Sequence, residues 1–139
     1  MPGGGDIILV IAVDPGTHKC GIALLRGPDD VIRREIAARD DALERVMQLR
    51  GEYPDATVVV GGSTQGPKFL EELTRKTGIQ GELVDETFST MDARALFWRD
   101  NRPGCFWGIF PPSFRPLPRP IDDYAAVIIA RRFLETITK

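Results

Sequence analysis

One histidine, His18, and two cysteines, Cys20 and Cys105, are all that 139 residues offer for soft metal coordination or thiol chemistry. The cysteines stand 85 positions apart. Neither a disulfide framework nor a zinc site is encoded, and both read as buried or inert thiols. No apolar run reaches the roughly 18 residues that a membrane-crossing helix needs, so no spanning segment is expected. The opening MPGGGD lacks a basic stretch leading to a cleavage site, which predicts a flexible tail over residues 1–5 and a cytoplasmic protein. Internal repeats and low-complexity tracts are lacking as well.

What is present has globular proportions, 42% hydrophobic and 27% charged, at a length that suits a single domain over residues 1–139. The net charge of −2 hides a division: residues 1–93 carry −6 and residues 94–139 carry +4. A basic segment on an acidic body permits a polyanion partner without demanding one. A carboxylate cluster meant for metal counts as negative only until the metal arrives.

The chain is organised around Ile7 to Leu25, IILVIAVDPGTHKCGIALL. The unbroken apolar run Ile7 to Val13 is the pattern of a strand buried on both faces. Asp14-Pro15-Gly16-Thr17 reads as a turn in which proline fixes φ and glycine supplies a positive one, and Gly21 to Leu25 returns as the second strand. This hairpin delivers Asp14 to the carboxyl end of its first strand. Val31 to Ala37 reads as a third strand, and its charged middle, Arg33, Arg34 and Glu35, suits a sheet edge. Asp40 or Asp41 then caps a helix to about Glu52 that buries Ala42, Leu43, Val46, Met47 and Leu49.

Ala56 to Val60 is a fourth strand, followed by the loop Gly61 to Gly66 and a helix from Pro67 to Thr77 with Phe69, Leu70 and Leu73 as its stripe, ending at Gly78. Gly81 to Asp85 is a short fifth strand. Ser89 to Asp92 opens a helix with a capping box, continued by Ala93, Ala95, Leu96, Phe97 and Trp98. Periodicity vanishes over residues 100–120, which hold six of the eleven prolines with Trp107, three phenylalanines and three arginines, so a functional or mobile loop is expected. A last helix runs from about Ile121 to Thr136.

The order β-β-β-α-β-α-β-α-α predicts an α/β fold with a mixed five-stranded sheet and flanking helices. Helical crossovers make strands four and five parallel to strand one, and right-handed connections place them beside it. Their carboxyl ends share one edge, where ligands of open α/β sheets bind, which gathers Asp14, the Gly61 to Gly66 loop and Glu86. Asp85, next to Glu86 on a strand, faces the other way. Several carboxylates in one cleft repel one another unless cations intervene. With no histidine partner, hard oxygen ligands choose Mg²⁺ or Mn²⁺. Two such ions suit phosphodiester hydrolysis, with an activated water in place of a protein nucleophile.

Asp14-x-Gly16-Thr17-x-x-x-Gly21-x-Ala23, Asp85-Glu86-x-x-Ser89-Thr90-x-x-Ala93 and Asp122-x-x-Ala125-Ala126 resemble, in order, the three motifs of the YqgF/RuvX family of Holliday-junction-resolvase-like nucleases. The resemblance spans nearly the whole chain. It implies an RNase H-like fold and a metal-dependent nuclease with Asp14, Glu86 and Asp122 as catalytic and metal-binding triad. Asp123, beside Asp122 in the same first helical turn, is carried as a further metal contact. Members are associated with maturation of pre-16S ribosomal RNA or with processing of branched DNA, so the implied partner is an rRNA precursor or a DNA junction; a homodimer is compatible with either. Thr87 stands where relatives commonly carry arginine, the Gly61 to Gly66 loop is shorter and lacks their asparagine, and the Pro-rich stretch is longer. All three departures bear on substrate contacts.

Thr17, His18 and Lys19 at the hairpin tip are candidates for touching a phosphate, against the plainer reading of a solvated turn. Ser63, Thr64 and Gln65 are candidates for lining the groove, although their loop lacks the Gly-Lys-Ser/Thr of a P-loop and suits a plain strand-to-helix turn. Arg94, Arg99, Arg102, Arg115 and Arg119 would lie along a phosphate backbone; the competing account is pairing with surface acids or keeping a proline-rich loop soluble. Phe106 and Trp107 could stack on splayed bases, whereas Trp98 fits core packing better. Two other classes of function compete. A non-catalytic RNase H-like binding module would not need a full acidic triad. An actin-like kinase shares the Asp-x-Gly-Thr turn, but this chain is too short for two lobes.

Overall fold

The first strand, β1 (Leu9–Pro15), alternates between two separate cores, and the rest of the fold follows from that alternation. The computed structural model describes residues 8–62, 64–84, 89–100 and 122–137, with the backbone alone for residues 89–92, 94, 100 and 122. Val10 and Ala12 enter one core, and Ile11 and Val13 the other; all four are wholly buried. Strands β2 (Lys19–Arg26) and β3 (Val31–Ala38) continue the meander antiparallel, and β4 (Thr57–Gly61) and β5 (Glu82–Val84) run parallel to β1. The sheet order is β3-β2-β1-β4-β5. That is the mixed, RNase H-like α/β arrangement expected, with the charged β3 on an edge.

Helices cover both faces. α1 (Arg39–Glu52) and α2 (Gly66–Thr77) pack Ala42, Val46, Leu49, Phe69 and Leu73 over Ile11, Val13, Ile22, Val58 and Val60. α3 (Ser89–Asp100) and α4 (Asp122–Ile137) pack Ala93, Leu96, Phe97, Tyr124, Ala126 and Ile129 over Val10, Ala12, Ala23 and Val59. Phe97 meets both Trp98 and Tyr124 edge-on, at centroid distances of 5.0 and 5.5 Å. Trp98 is thus a core residue. Among the described residues no helix is long and apolar enough to cross a membrane.

Three expectations of detail are corrected. The hairpin turn is displaced by two residues: Asp14 and Pro15 remain in the ladder, opposite Gly21 and Cys20, and the reversal falls on residues 16–18. Gly16 is needed for space and not for a positive φ, because a Cβ there would stand 2.6 Å from the Lys19 carbonyl oxygen. Neither Asp40 nor Asp41 caps α1. Its N-cap is Ala38, without a side-chain bond, and the Arg39 amide instead donates to the His18 carbonyl at 2.8 Å, so the hairpin tip does the capping. Met47 is 48% exposed, since Ala42, Val46 and Leu49 already fill the α1 stripe.

α1 is further fixed at both neighbours. Arg39 reaches Glu72 of α2 at 3.1 Å and lies over the Phe69 ring. Arg45 donates to Glu35 of β3 at 2.7 Å, a bond that raises the Arg45 pKa further above its ordinary value. Cys20 is buried, as read from the sequence; Cys105 lies outside the described residues.

The turn geometry gives a direct test. Gly16→Ala forces a methyl group onto a backbone carbonyl, and such overpacking costs about 1 to 3 kcal/mol. Urea unfolding followed by circular dichroism should register that loss, while Gly51→Ala, where a Cβ meets nothing within 4 Å, should be neutral or stabilising.

Candidate active site

Asp14 is the sixth residue of β1 and shares the parity of Val10 and Ala12, so it belongs to the face covered by α3 and α4. It is half-buried. Its ladder partner on β2 is Gly21, and one step beyond the Val13 and Val60 pair on β4 comes Gly61. The carboxylate is therefore flanked by positions without side chains on both neighbouring strands, a corridor in which a ligand or a backbone can approach closely. Gly62, next in the chain, donates its amide to the Val84 carbonyl at 2.8 Å and holds the ends of β4 and β5 together.

The direction of α4 brings its first turn to the same place. Asp123 Oδ2 accepts a hydrogen bond from Arg34 Nε at 2.9 Å, and Arg34 is level with Ala23 and, through it, Ala12. Eight residues later, Arg131 Nε donates to the Pro28 carbonyl at 2.9 Å, in the turn where Gly27 bonds Ile8. Eight helical residues rise about 12 Å, which matches the roughly 13 Å of strand between Ala12 and Ile8. α4 thus runs antiparallel to β1, with its amino end toward the carboxyl edge of the sheet. Asp14 lies one pleat repeat, about 7 Å, beyond the level of Ala12 on that same face.

Asp123 itself is 4% exposed. The Arg34 guanidinium that binds it also lies 4.1 Å from the centroid of the Tyr124 ring, so one side chain on the edge strand grips two consecutive residues of α4. Sequence reasoning placed Arg34 only as an edge charge. The contact spans 89 positions, and no local pattern announces it.

The remaining candidates divide by position. Thr17, His18 and Lys19 are exposed at the hairpin tip, and Thr64 is exposed and Gln65 half-buried in the turn after β4. Arg94 lies within α3 and Asp122 opens α4; only the backbone is described for either. Ser63, Asp85, Glu86, Thr87, Arg102, Phe106, Trp107, Arg115 and Arg119 fall outside the described residues. Among the described residues no three of His, Cys, Asp or Glu gather as metal ligands would. The donor chemistry nonetheless fits a hard cation: Asp14 is a half-buried carboxylate with a glycine as its ladder partner, at the edge where α4 presents its amino end.

No family model matches the chain. A curated protein of Blochmanniella floridana, named "Putative pre-16S rRNA nuclease", is 26% identical, with 92% of this chain and 94% of that protein aligned. It bears out the likeness to the YqgF/RuvX family read from the three motifs. Among solved structures, a ROK family transcriptional regulator, a homologue of the E. coli MLC protein, matches at 17% identity and a TM-score of 0.41 over 64% of this chain. The Aquifex aeolicus PPX-GPPA enzyme matches at 17% identity and 0.36 over 70%. This chain spans 30% and 42% of those two.

Arg34→Ala should cost about 1.5 to 3 kcal/mol, the worth of a hydrogen bond to a charged group, because Asp123 is left buried without its cation. Arg34→Lys should recover only part of it, since an ammonium lacks the planar face that lies on Tyr124. Thermal melts of both variants beside the parent chain measure the difference.

Proposed function

We propose that this chain is a metal-dependent nuclease that hydrolyses phosphodiester bonds of structured nucleic acid, with a pre-16S ribosomal RNA precursor as the favoured substrate. One observation carries the reading: Asp14 and the first turn of α4 stand on one face of the sheet at its carboxyl edge, flanked by the Gly21 and Gly61 corridor. The likeness to a protein named "Putative pre-16S rRNA nuclease", along nearly the full length of both, supports it and favours that substrate class.

Asp14, Glu86 and Asp122 would hold Mg²⁺ or Mn²⁺, in two sites. Ions bound there would supply charge neutralisation at the phosphate and acidify water for attack. The chain's own residues perform the remaining work. The glycine corridor lets a phosphate approach the Asp14 carboxylate without meeting a Cβ. The buried β1 and α4 hold their acids on rigid elements, so the approach of the carboxylates is fixed before substrate arrives. Asp123 is already committed to Arg34, and neighbouring helix positions stand about 100° apart, so the ligand role falls to Asp122. The amino end of α4 favours negative charge, both of the ligand and of an approaching phosphate.

Cleavage of structured RNA, single-stranded and duplex DNA and a four-way DNA junction, each with Mn²⁺ or Mg²⁺ and with chelator, decides the reading. RNA cleavage that chelator abolishes is expected; binding without cleavage of any substrate would mean a binding module. Asp14→Asn, Glu86→Gln and Asp122→Ala should each lose activity by at least a hundredfold while melting no lower than the parent chain without metal, because each relieves crowded negative charge. Asp123→Ala should do the opposite, melting lower yet retaining turnover.

A further inference from the structure

We propose that a groove between α3, α4 and the β2–β3 turn is a second contact surface for the same substrate, holding the phosphate backbone of nucleic acid as it leaves the carboxylate edge. The inference rests on the nuclease reading for its ligand. The groove encloses about 370 Å³ and continues into a hollow of about 210 Å³ that shares Leu96, Arg99 and Arg131 with it.

Three guanidinium groups line it: Arg34 from β3, Arg99 from the last turn of α3 and Arg131 from α4. Two aspartates of the turn, Asp29 and Asp30, stand at the same groove. The balance still favours an anion. Asp30 is neutralised by Arg26 at 2.8 Å, and Arg34 by Asp123, which leaves Arg99 and Arg131 against Asp29. Arg99 is exposed and makes no ion pair among the described residues, and Arg131 spends only Nε on a carbonyl. An arginine that makes neither core contact nor ion pair retains its full fork of donors for a phosphate.

Position supplies the rest. The groove lies on the α3 and α4 face, the same face as Asp14. It begins at Arg34, level with Ala12, and ends by Arg131 and Pro28, level with Ile8. Those levels are about 7 and 20 Å from Asp14 along the strand direction. The interval of about 13 Å faces roughly four phosphates of one strand of a duplex, at 3.4 Å of axis per phosphate. A polyanion seated at Asp14 and lying along α4 would therefore meet Arg99 and Arg131 next. An acidic protein segment is the rival occupant, but nothing in the groove's placement ties such a segment to the carboxylate edge.

The test measures binding apart from cleavage. Fluorescently labelled RNA hairpin is titrated, in chelator, with the Asp14→Asn chain and with that chain carrying Arg99→Ala, Arg131→Ala or both, at salt from 50 to 200 mM. Each lost contact should reduce the slope of log K against log salt by about 0.7 to 0.9, and the double variant should shed about tenfold less affinity across that salt range than its parent. Asp29→Asn should shift affinity the other way, tightening binding, an effect that a purely structural turn residue would not produce. Arg99→Ala keeps the test sound if Arg131→Ala melts early, because Arg99 supports no other described residue. Unchanged affinity and slope in the arginine variants, with the unsubstituted chain still cutting RNA, would overturn the groove and leave the nuclease reading standing. Failure of the unsubstituted chain to bind or cut any nucleic acid would overturn both. Loss of binding to a polyglutamate peptide, with RNA unaffected, would give the groove to an acidic protein partner instead.

Discussion

Burial of β1 on both faces is the constraint from which the rest of the molecule follows. A strand with one wet side needs a single covering layer, whereas Val10 to Val13 are wholly buried and require helices above and below. Side chains alternate with a period of two, so the same four residues assign every covering helix to a face. The assignment extends past the apolar run to Asp14, whose parity was decided by Val10 and Ala12 before any chemistry is considered. A slip of one residue in β1 would exchange the two cores and turn the carboxylate toward α1.

The two faces serve different ends. α1 and α2 close over theirs with apolar stripes and two cross-element arginine contacts, Arg39 to Glu72 and Arg45 to Glu35. The opposite face carries Asp14, Asp123 and the arginine-lined groove, and there α4 is pinned by Arg34 at its first turn and by its own Arg131 in its third. A helix held at two points against a sheet has little freedom to slide, and a carboxylate in its first turn inherits that rigidity.

The strand order and both cores could be read from the sequence because runs such as Val58 to Val60, separated by helical stripes and bounded by glycine, leave few topologies open. The place of Asp14 could be read for the same reason. What escaped was decided by contacts distant in sequence or by steric space. The Asp-Pro-Gly signature suggested a turn two residues early because Pro15 can still occupy a ladder position, and Gly16 is required by a carbonyl that no propensity registers. The cap of α1 comes from a carbonyl on another element, which the acids at positions 40 and 41 obscured. Of the adjacent acids at 122 and 123, motif spacing singled out Asp122, but the partner of Asp123, an arginine 89 positions away, left no local trace.

The two edges of the sheet are unequal, and this sets a hierarchy of opening. β3 is eight residues long and laced to β2 through most of its length, whereas β5 has three residues, each paired on one side only, with Leu83 half in solvent. Free energies of local opening rise with the number of bonds and buried contacts that must be given up. Amide protons of β5 should therefore exchange well before those of β1, although the two strands are separated only by β4. Because β5 ends two residues before Glu86, a cation held by that carboxylate together with Asp14, as proposed above, would bear on the shorter edge of the sheet. Such an ion would also tighten the sheet's weaker margin, and the hydrogen-exchange protection of Leu83 and Val84 would gauge its occupancy.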